Sequence, residues 1–295
     1  MKIVTYNIQF ATGKDGICDT SRIAKEVNGA DIIAFQEVDR FWQRSHNTDQ
    51  VAALMTAFPE YYAEYGAGIN LFNDNKDANG HVIHSRQQFG NLILSRFPIA
   101  YSRHHLLPKR GSIGPISLQR SALECIVLTD IGPIRLINTH LTHLSSDTRL
   151  PQIEKLIDIH RKGPFEGEPV CGDVEDTYWK LDEELPIAPN HSIIMGDFNC
   201  TPGTPEYTCM TGPVCDYGGR IINPELFIDA YVASGHEENE GHTSDVNAKL
   251  VRLDYIFLST PLAQYIERCW IDYSATGSDH QPVWLELDTE NVERK

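Results

Sequence analysis

The chain has no run approaching the ~18–20 consecutive apolar residues that a bilayer-spanning helix needs, so a membrane-spanning architecture is not expected. Cysteine is sparse. Its seven copies, Cys18, Cys125, Cys171, Cys200, Cys209, Cys215 and Cys269, are odd in number and contain no Cys-x-x-Cys. That pattern excludes a disulfide framework and a zinc ribbon and suits a reducing compartment. Residues 1–10 show a short apolar alternation without the longer apolar core and small-residue cleavage site of a secretory leader. A cytoplasmic location is expected. Positive charge is also short: 25 Lys and Arg stand against 41 Asp and Glu, a net charge of −16. Bulk attraction to long nucleic acid is thereby disfavoured, although a local basic site is not. No repeat of 20–50 residues is visible, which argues against a solenoid or propeller.

What is present is an ordinary globular balance: 295 residues, 41% hydrophobic and 22% charged. A chain of this length buries roughly 75% of its unfolded surface and needs no covalent or metal staple. Length allows one large or two ordinary domains. With no linker in view, a single domain over 1–295 is expected. Short Ile/Val/Leu-rich runs read as buried strands at Ile3–Tyr6, Asp31–Phe35, Asn91–Leu94, Ala122–Leu128, Ile134–Asn138, Ser192–Met195, Leu253–Leu258 and Pro282–Leu287. Helical patterns lie at Thr20–Val27, Thr48–Phe58 and Asp147–His160, ended by Gly29, Pro59 and Gly163-Pro164. Residues Thr129–Pro133 read as a hairpin connection. Helices and strands alternate early and strands dominate the middle, so an α/β sandwich with mixed sheets is expected. Gly66–Gln88, polar and rich in Asn, Gly and His, reads as a long surface loop. Gly163–Asn190 carries eight acids against Lys180, with Pro and Gly clustered at its start. It reads as an acidic insertion around 163–190, with a short helix near Tyr178. A solvated excursion is the plain interpretation, a lid or partner surface the alternative.

Polar residues recur at the ends of the apolar runs. Asn7 follows the first strand, Glu37 the second and His140 the Ile134–Asn138 strand. Asp197 and Asn199 follow Ser192–Met195, Asp254 opens Tyr255–Leu258, and Asp279-His280 precedes the last strand. Strand ends in α/β folds deliver side chains to one shared crevice. The set is mostly oxygen donors with two histidines and no thiolate, which favours Mg²⁺ or Mn²⁺ over Zn²⁺. Each residue taken singly has an ordinary interpretation as a turn former, a cap or a hydrogen-bonded core histidine. Their number and order carry the weight.

Seven stretches together resemble the endonuclease/exonuclease/phosphatase superfamily, the DNase I-like metal-dependent phosphoesterases. They are Thr5-Tyr6-Asn7-Ile8, Phe35-Gln36-Glu37-Val38, Gly90-Asn91-Leu92-Ile93-Leu94-Ser95-Arg96, Asn138-Thr139-His140-Leu141, Gly196-Asp197-Phe198-Asn199, Leu253-Asp254-Tyr255-Ile256-Phe257 and Gly277-Ser278-Asp279-His280. They run from residue 5 to residue 280 in the family's order. The resemblance implies a four-layer α/β sandwich, two packed mixed sheets flanked by helices, with the site at one edge of the sheet pair. It implies Glu37 as the principal metal carboxylate, with Asn7 and Asp279 beside the metal. His140 would donate to the phosphate, and Asp197 and Asn199 would lie near the attacking water and the non-bridging oxygens. Asp254 would orient His280, which sits on the scissile phosphate. Either Asp197 or His280 takes the water's proton. Asn91 and Arg120 are added as substrate contacts, Arg120 as a bidentate phosphate donor. His143 reads as a loop residue.

The expected activity is therefore Mg²⁺- or Mn²⁺-dependent hydrolysis of phosphoester bonds by in-line water attack. The net charge and the absence of Lys/Arg runs favour a small or lipid-derived phosphoester. A nuclease acting on DNA or RNA is the alternative and would need a basic stripe, with Arg86, Arg96, Lys109, Arg110 and Arg120 available for it. A non-catalytic binding protein on the same fold is the third reading. The full set of acids and histidines argues against it.

Overall fold

The N-terminal alternation forms strand β1 (Lys2–Asn7), and its burial explains why both phases of the alternation are apolar or small. Ile3 faces one buried cluster and Val4 and Tyr6 another, so the strand is covered on both sides. The same holds for β2 (Ile32–Arg40), where Ile32 and Ala34 face one way and Ile33 and Phe35 the other. The computed structural model describes residues 1–73, 76–83, 86–172, 181 and 184–289.

The remaining strands are β3 (Tyr62–Phe72), β4 (Arg86–Ser95), β5 (Ile99–Leu106), β6 (Ser121–Thr129), β7 (Gly132–His140), β8 (Ser192–Asp197), β9 (Phe227–Asp229), β10 (Ser244–Val246), β11 (Lys249–Val251), β12 (Asp254–Ser259), β13 (Ile266–Ile271) and β14 (Val283–Leu287). The helices are α1 (Thr20–Glu26), α2 (Gln50–Ala57), α3 (Ser146–Lys162), α4 (Pro205–Thr211) and α5 (Ala230–Ala233). Two six-stranded mixed sheets result, ordered β13-β14-β1-β2-β4-β3 and β5-β6-β7-β8-β12-β9, with β10–β11 as a separate ribbon. One apolar layer lies between the sheets, with Ile3, Ile93, Leu123, Leu136, Ile193 and Leu285 among its members. A second packs α1 and α2 on the first sheet through Ile23, Leu54 and Phe35. A third packs α3 and α4 on the second through Ile153, Leu156, Tyr207 and Phe257. Three apolar layers separate four layers of structure, which is the expected α/β sandwich.

Every strand read from the sequence is present. The helix starts lie within two residues of those expected, with Asp19, Asp49 and Ser145 capping α1, α2 and α3. Asp19 accepts from the Ser21 and Arg22 N–H groups, and Asp49 accepts from Ala52. Gly66–Gln88 is not a long loop. Its two ends, 66–72 and 86–88, belong to β3 and β4, which pair from Tyr62↔Ser95 to Phe72↔Arg86. A sheet-edge strand with little apolar cover carries polar residues without losing its ladder, and so it escapes an apolar-run reading. The same reason hides β5 and β13. The expected helix near Tyr178 lies outside the described residues.

One polar seam crosses the apolar layer between the sheets. The buried Asn138 amide donates to the Phe35 and Leu92 carbonyls at 2.9 and 3.0 Å, and its Oδ1 accepts from Gln36 at 2.8 Å. Asn91 Nδ2 donates back to the Ser121 and Asn138 carbonyls at 3.0 and 3.3 Å. Asn138→Ala strands two carbonyls and an amide in an apolar interior, each worth about 1–3 kcal/mol. Denaturant unfolding of that variant is expected to show a loss of about 2–4 kcal/mol. A loss within experimental error would show that the seam holds nothing together.

Candidate active site

Strand register brings the sequence-chosen residues to one edge. β7 and β8 run parallel with His140 opposite Asp197. β12 runs antiparallel to β8 with Asp254 opposite the same Asp197. Three of the chosen side chains thus sit abreast on the second sheet. Parallel β1 and β2 place Asn7 beside Gln36, next to Glu37, on the first. Gly196 lets β7 and β8 approach, because a side chain there would collide with the Thr139 carbonyl, and its φ of 140° suits glycine alone.

Two backbone departures aim the acids. The β2–β4 register slips between Phe35 and Val38, and Glu37 at that bulge has φ 59°. A bulge re-aims a side chain that regular pleating would send elsewhere. Asn199 has φ 50°, and its backbone N–H and side-chain amide both reach Asp197, at 2.8 and 3.3 Å.

Asp197 is the hub. It is buried, and its carboxylate also accepts from Asn7 Nδ2 at 3.0 Å and lies 3.2 Å from His140 Nε2. Burial alone would raise its pKa. His140 first, then His280 and the Asn199 N–H, outweigh burial and hold the carboxyl below the ordinary carboxylate range. Asp254 Oδ2 is 2.7 Å from His280 Nδ1, and His280 Nε2 is 3.9 Å from Asp197. Burial disfavours charge on His280, but Asp254, Asp197 and Asp279 together push its pKa up to about 10. Burial raises the Asp254 carboxyl as well, against the opposing imidazolium. The pair keeps its proton on the histidine side.

Glu37 Oε1 lies 3.4 Å from Asn7 Nδ2 and 3.8 Å from His140 Nδ1, a buried nitrogen with no hydrogen-bond partner among the described residues. Asp279 is raised by burial and then by Glu37, with His280 opposing. Glu37 and Asp279 therefore act on each other as like charges. Carboxylate and amide oxygens such as those of Glu37, Asp279 and Asn7 are the donors a hard divalent cation takes. Asp197, Asp254 and His280 also present donor atoms within 4.8 Å of one another. In that trio Asp254 is already bonded to a charged imidazole, which repels a cation.

The two substrate-contact candidates diverge. Asn91 Nδ2 is spent on the seam between the sheets, which makes it a structural tie on its donor side. Arg120 is buried, and its Nε and Nη1 find no partner among the described residues. Burial lowers its pKa from the ordinary arginine value, while Glu37 and Asp197 oppose that shift. It is a guanidinium held next to the acids with donors free. The suggested basic stripe does not form as a unit: Arg96 is engaged by Tyr61 and Asp31, near the β4 end away from the site.

Sequence reasoning undervalued several residues. His143 is exposed at the mouth, and its imidazole is lowered by desolvation first, then by Arg120 and His140. Thr243 Oγ1 accepts from the Leu253 and Asp254 N–H groups at 2.9 and 3.1 Å, fixing the start of β12. Ser278 Oγ donates to the Asn7 carbonyl at 2.7 Å and accepts from the His280 N–H at 3.1 Å, tying the last loop to β1. Ser278 stood inside a quoted motif and was findable. Thr243 lies ten residues from its partner with no local signal.

Comparison with known proteins agrees with this fold. The model of the endonuclease/exonuclease/phosphatase family matches residues 4–280. No curated protein matches the chain. Among solved structures, an endonuclease/exonuclease/phosphatase from Bacteroides vulgatus superposes with a TM-score of 0.62 at 19% identity, covering 97% of this chain and 98% of that one. A mannosyl-6-phosphatase from Bacteroides thetaiotaomicron gives 0.60 at 19% identity, covering 97% and 99%. ANGEL2, a 2′,3′-cyclic phosphatase, gives 0.55 at 16% identity, covering 96% and 93%.

If Glu37 and Asp279 hold a cation, Mg²⁺ or Mn²⁺ relieves their repulsion and raises the thermal midpoint. An ion at one hundred times its dissociation constant contributes about 2.7 kcal/mol. Glu37→Gln is expected to remove that response. A midpoint indifferent to millimolar Mg²⁺ and Mn²⁺ in the wild type would overturn the assignment.

Proposed function

The chain belongs to the endonuclease/exonuclease/phosphatase family, and from that premise we propose that it is a divalent-metal-dependent hydrolase of a small or lipid-derived phosphoester. The observation that carries this reading is the ionised Asp197, flanked by His140 and by the charged His280, at the edge that also holds Glu37 and Asp279. The bond formed joins phosphorus to the water oxygen, and the bond broken joins phosphorus to the leaving alcohol. Phosphoryl transfer asks mainly for positioning and charge stabilisation.

Glu37, Asn7 and Asp279 would hold the cation, and a bound divalent ion would supply charge neutralisation for the phosphoryl group. Asp197, made weakly basic by the donors on Oδ2, keeps acceptor capacity on Oδ1, which takes one donor among the described residues, and orients the attacking water by accepting its hydrogen bond. His280, kept as an imidazolium by Asp254, donates from Nε2 to a phosphate oxygen. His140 and Asn199 add donors on the other side, and the free N–H groups of Arg120 receive a non-bridging oxygen. Burial makes each of these contacts stronger than it would be in water. The net charge of −16 weighs against long nucleic acid as the substrate.

Hydrolysis of an aryl phosphodiester and an aryl phosphomonoester, each measured with Mg²⁺, Mn²⁺ or chelator, tests the reading. Turnover is expected to disappear with chelator. Asp197→Ala and His280→Ala are each expected to cost at least the ~10²-fold typical of an acid–base group. Near-wild-type rates in those variants would remove the site assignment. Arg120→Met is expected to raise KM about tenfold or more, the worth of a charge-assisted hydrogen bond, without lowering the denaturation midpoint, because the arginine has no hydrogen bond to lose. An unchanged KM would return Arg120 to a structural role.

A further inference from the structure

Two projections rise from the catalytic edge beyond the level of Glu37 and Arg120. The first is the end of the β3–β4 hairpin. Strand β2 stops pairing at Arg40↔Gln88, whereas β3 and β4 continue to Phe72↔Arg86, so the last residues form a two-stranded ribbon bare on both faces. Leu71 and Phe72 lie there, and Phe72 is 71% exposed. The second is the β5–β6 connection, residues 107–120, which begins and ends at Leu106↔Ser121 beside the site. Its Ile116 is 71% exposed and its Ile113 fully so, with Lys109 and Arg110 on the same loop. The projections meet at their bases, since a side chain at Gly68 would come within 2.7 Å of the Gln119 carbonyl.

Neither feature is explained by the fold, because no described residue covers these aliphatic side chains. Charge accompanies these tips. The β5–β6 connection carries Lys109, Arg110 and Arg120 with no Asp or Glu, and Arg86 stands on the ribbon, in a protein with 41 acids. Exposed aliphatic tips beside basic residues have two complementary targets on a membrane: the acyl boundary and anionic headgroups. Nucleic acid would meet the charge and could stack on Phe72 but would leave Leu71, Ile113 and Ile116 unrewarded, since base stacking needs aromatic faces. No helix among the described residues is long and apolar enough to cross a bilayer, so the contact would be peripheral.

We propose that the catalytic edge docks on an anionic lipid surface, with the Leu71–Phe72 ribbon and the Ile113–Ile116 loop entering the interface and Lys109 and Arg110 contacting headgroups. This rests on the hydrolase reading above and narrows its substrate to phosphoesters presented at a lipid interface.

The test is flotation of the full chain with phosphatidylcholine vesicles, with or without about 30% phosphatidylserine, scored without turnover. Hydrolysis of a soluble aryl phosphoester is followed separately. Binding is expected to the anionic vesicles and to fall with salt. Ile113→Ser combined with Ile116→Ser is expected to weaken it at least about tenfold while leaving soluble-ester hydrolysis unchanged. Lys109→Ser combined with Arg110→Ser is expected to remove the preference for phosphatidylserine. No binding to either vesicle, or binding indifferent to the isoleucine pair, overturns the proposal and leaves the hydrolase reading standing if the soluble ester is still cleaved. Binding of single-stranded DNA or RNA that needs Lys109 and Arg110 but not the isoleucines also overturns it, in favour of a nucleic-acid edge. Loss of soluble-ester turnover in the wild type strikes the hydrolase reading instead.

Discussion

A buried carboxylate that stays ionised sets the terms for the whole catalytic edge. Water no longer solvates Asp197, so the protein supplies donors, and no single element has enough of them. Asn7 comes from the first sheet, His140 from the strand on one side of β8, and Asn199 from the turn that follows it. His280 approaches from the last loop, held by Asp254 on the strand at the other side. The sheets therefore have to meet at a fixed separation and register. The seam of Asn138, Gln36 and Asn91 is the device that fixes them, because amide-to-carbonyl bonds have a set length and a poor tolerance for sliding.

Two of the left-handed non-glycine residues among those described stand at this edge, Glu37 and Asn199. For Glu37 the conformation costs roughly 1–2 kcal/mol, and it accompanies the bulge that carries its carboxylate to within 3.4 Å of Asn7. The turn at Asn199 points both its N–H and its side chain at Asp197. Arg120 adds another unfavourable element, a desolvated guanidinium with unsatisfied donors. Repulsive acids and unpaired donors lower the stability of the free protein and are relieved by a cation and an anion, respectively. A phosphoester with a divalent metal supplies both at once, so the local instability and the proposed chemistry have one cause.

Much of this was legible in the sequence, for a reason particular to the fold. Strands covered on both faces, such as β2 and β8, read as unbroken apolar runs, and a polar residue at the end of such a run stands out. Asn7, Glu37, His140, Asp197, Asp254 and His280 were visible that way, and their order pointed to the family. Edge strands β3, β5 and β13 were not visible, because half-exposed strands carry His, Gln and Arg as readily as Val. The double role of the Asn91 stretch was also hidden. Asn91 sits near the site in sequence pattern, yet its amide is used between the sheets, a distinction only the packing reveals. Thr243 lacked any signal, since its partner is chosen by a strand pairing rather than by spacing.

The remaining puzzle is how a chain of net charge −16 serves an anionic substrate, and the topology resolves it. Helix α3 starts beside the site, just past His143, and its 17 residues carry the chain about 25 Å before the acidic 163–190 stretch begins. Gly163 packs against Arg135, Arg103 bonds the Gly167 carbonyl, and Tyr101 bonds the Pro186 carbonyl at 3.2 Å. All three anchors lie on the half of β5 and β7 away from His140. Glu166, beside Arg103, sits at those anchors. Screening at physiological ionic strength acts over about 8 Å, so an acid there contributes little potential at the crevice. The acid-free stretch of residues 78–123 meanwhile supplies the Arg120 guanidinium and, in Lys109 and Arg110, a basic rim at the catalytic edge. The local field that a phosphoester meets is set by that segregation rather than by the sum of the charges.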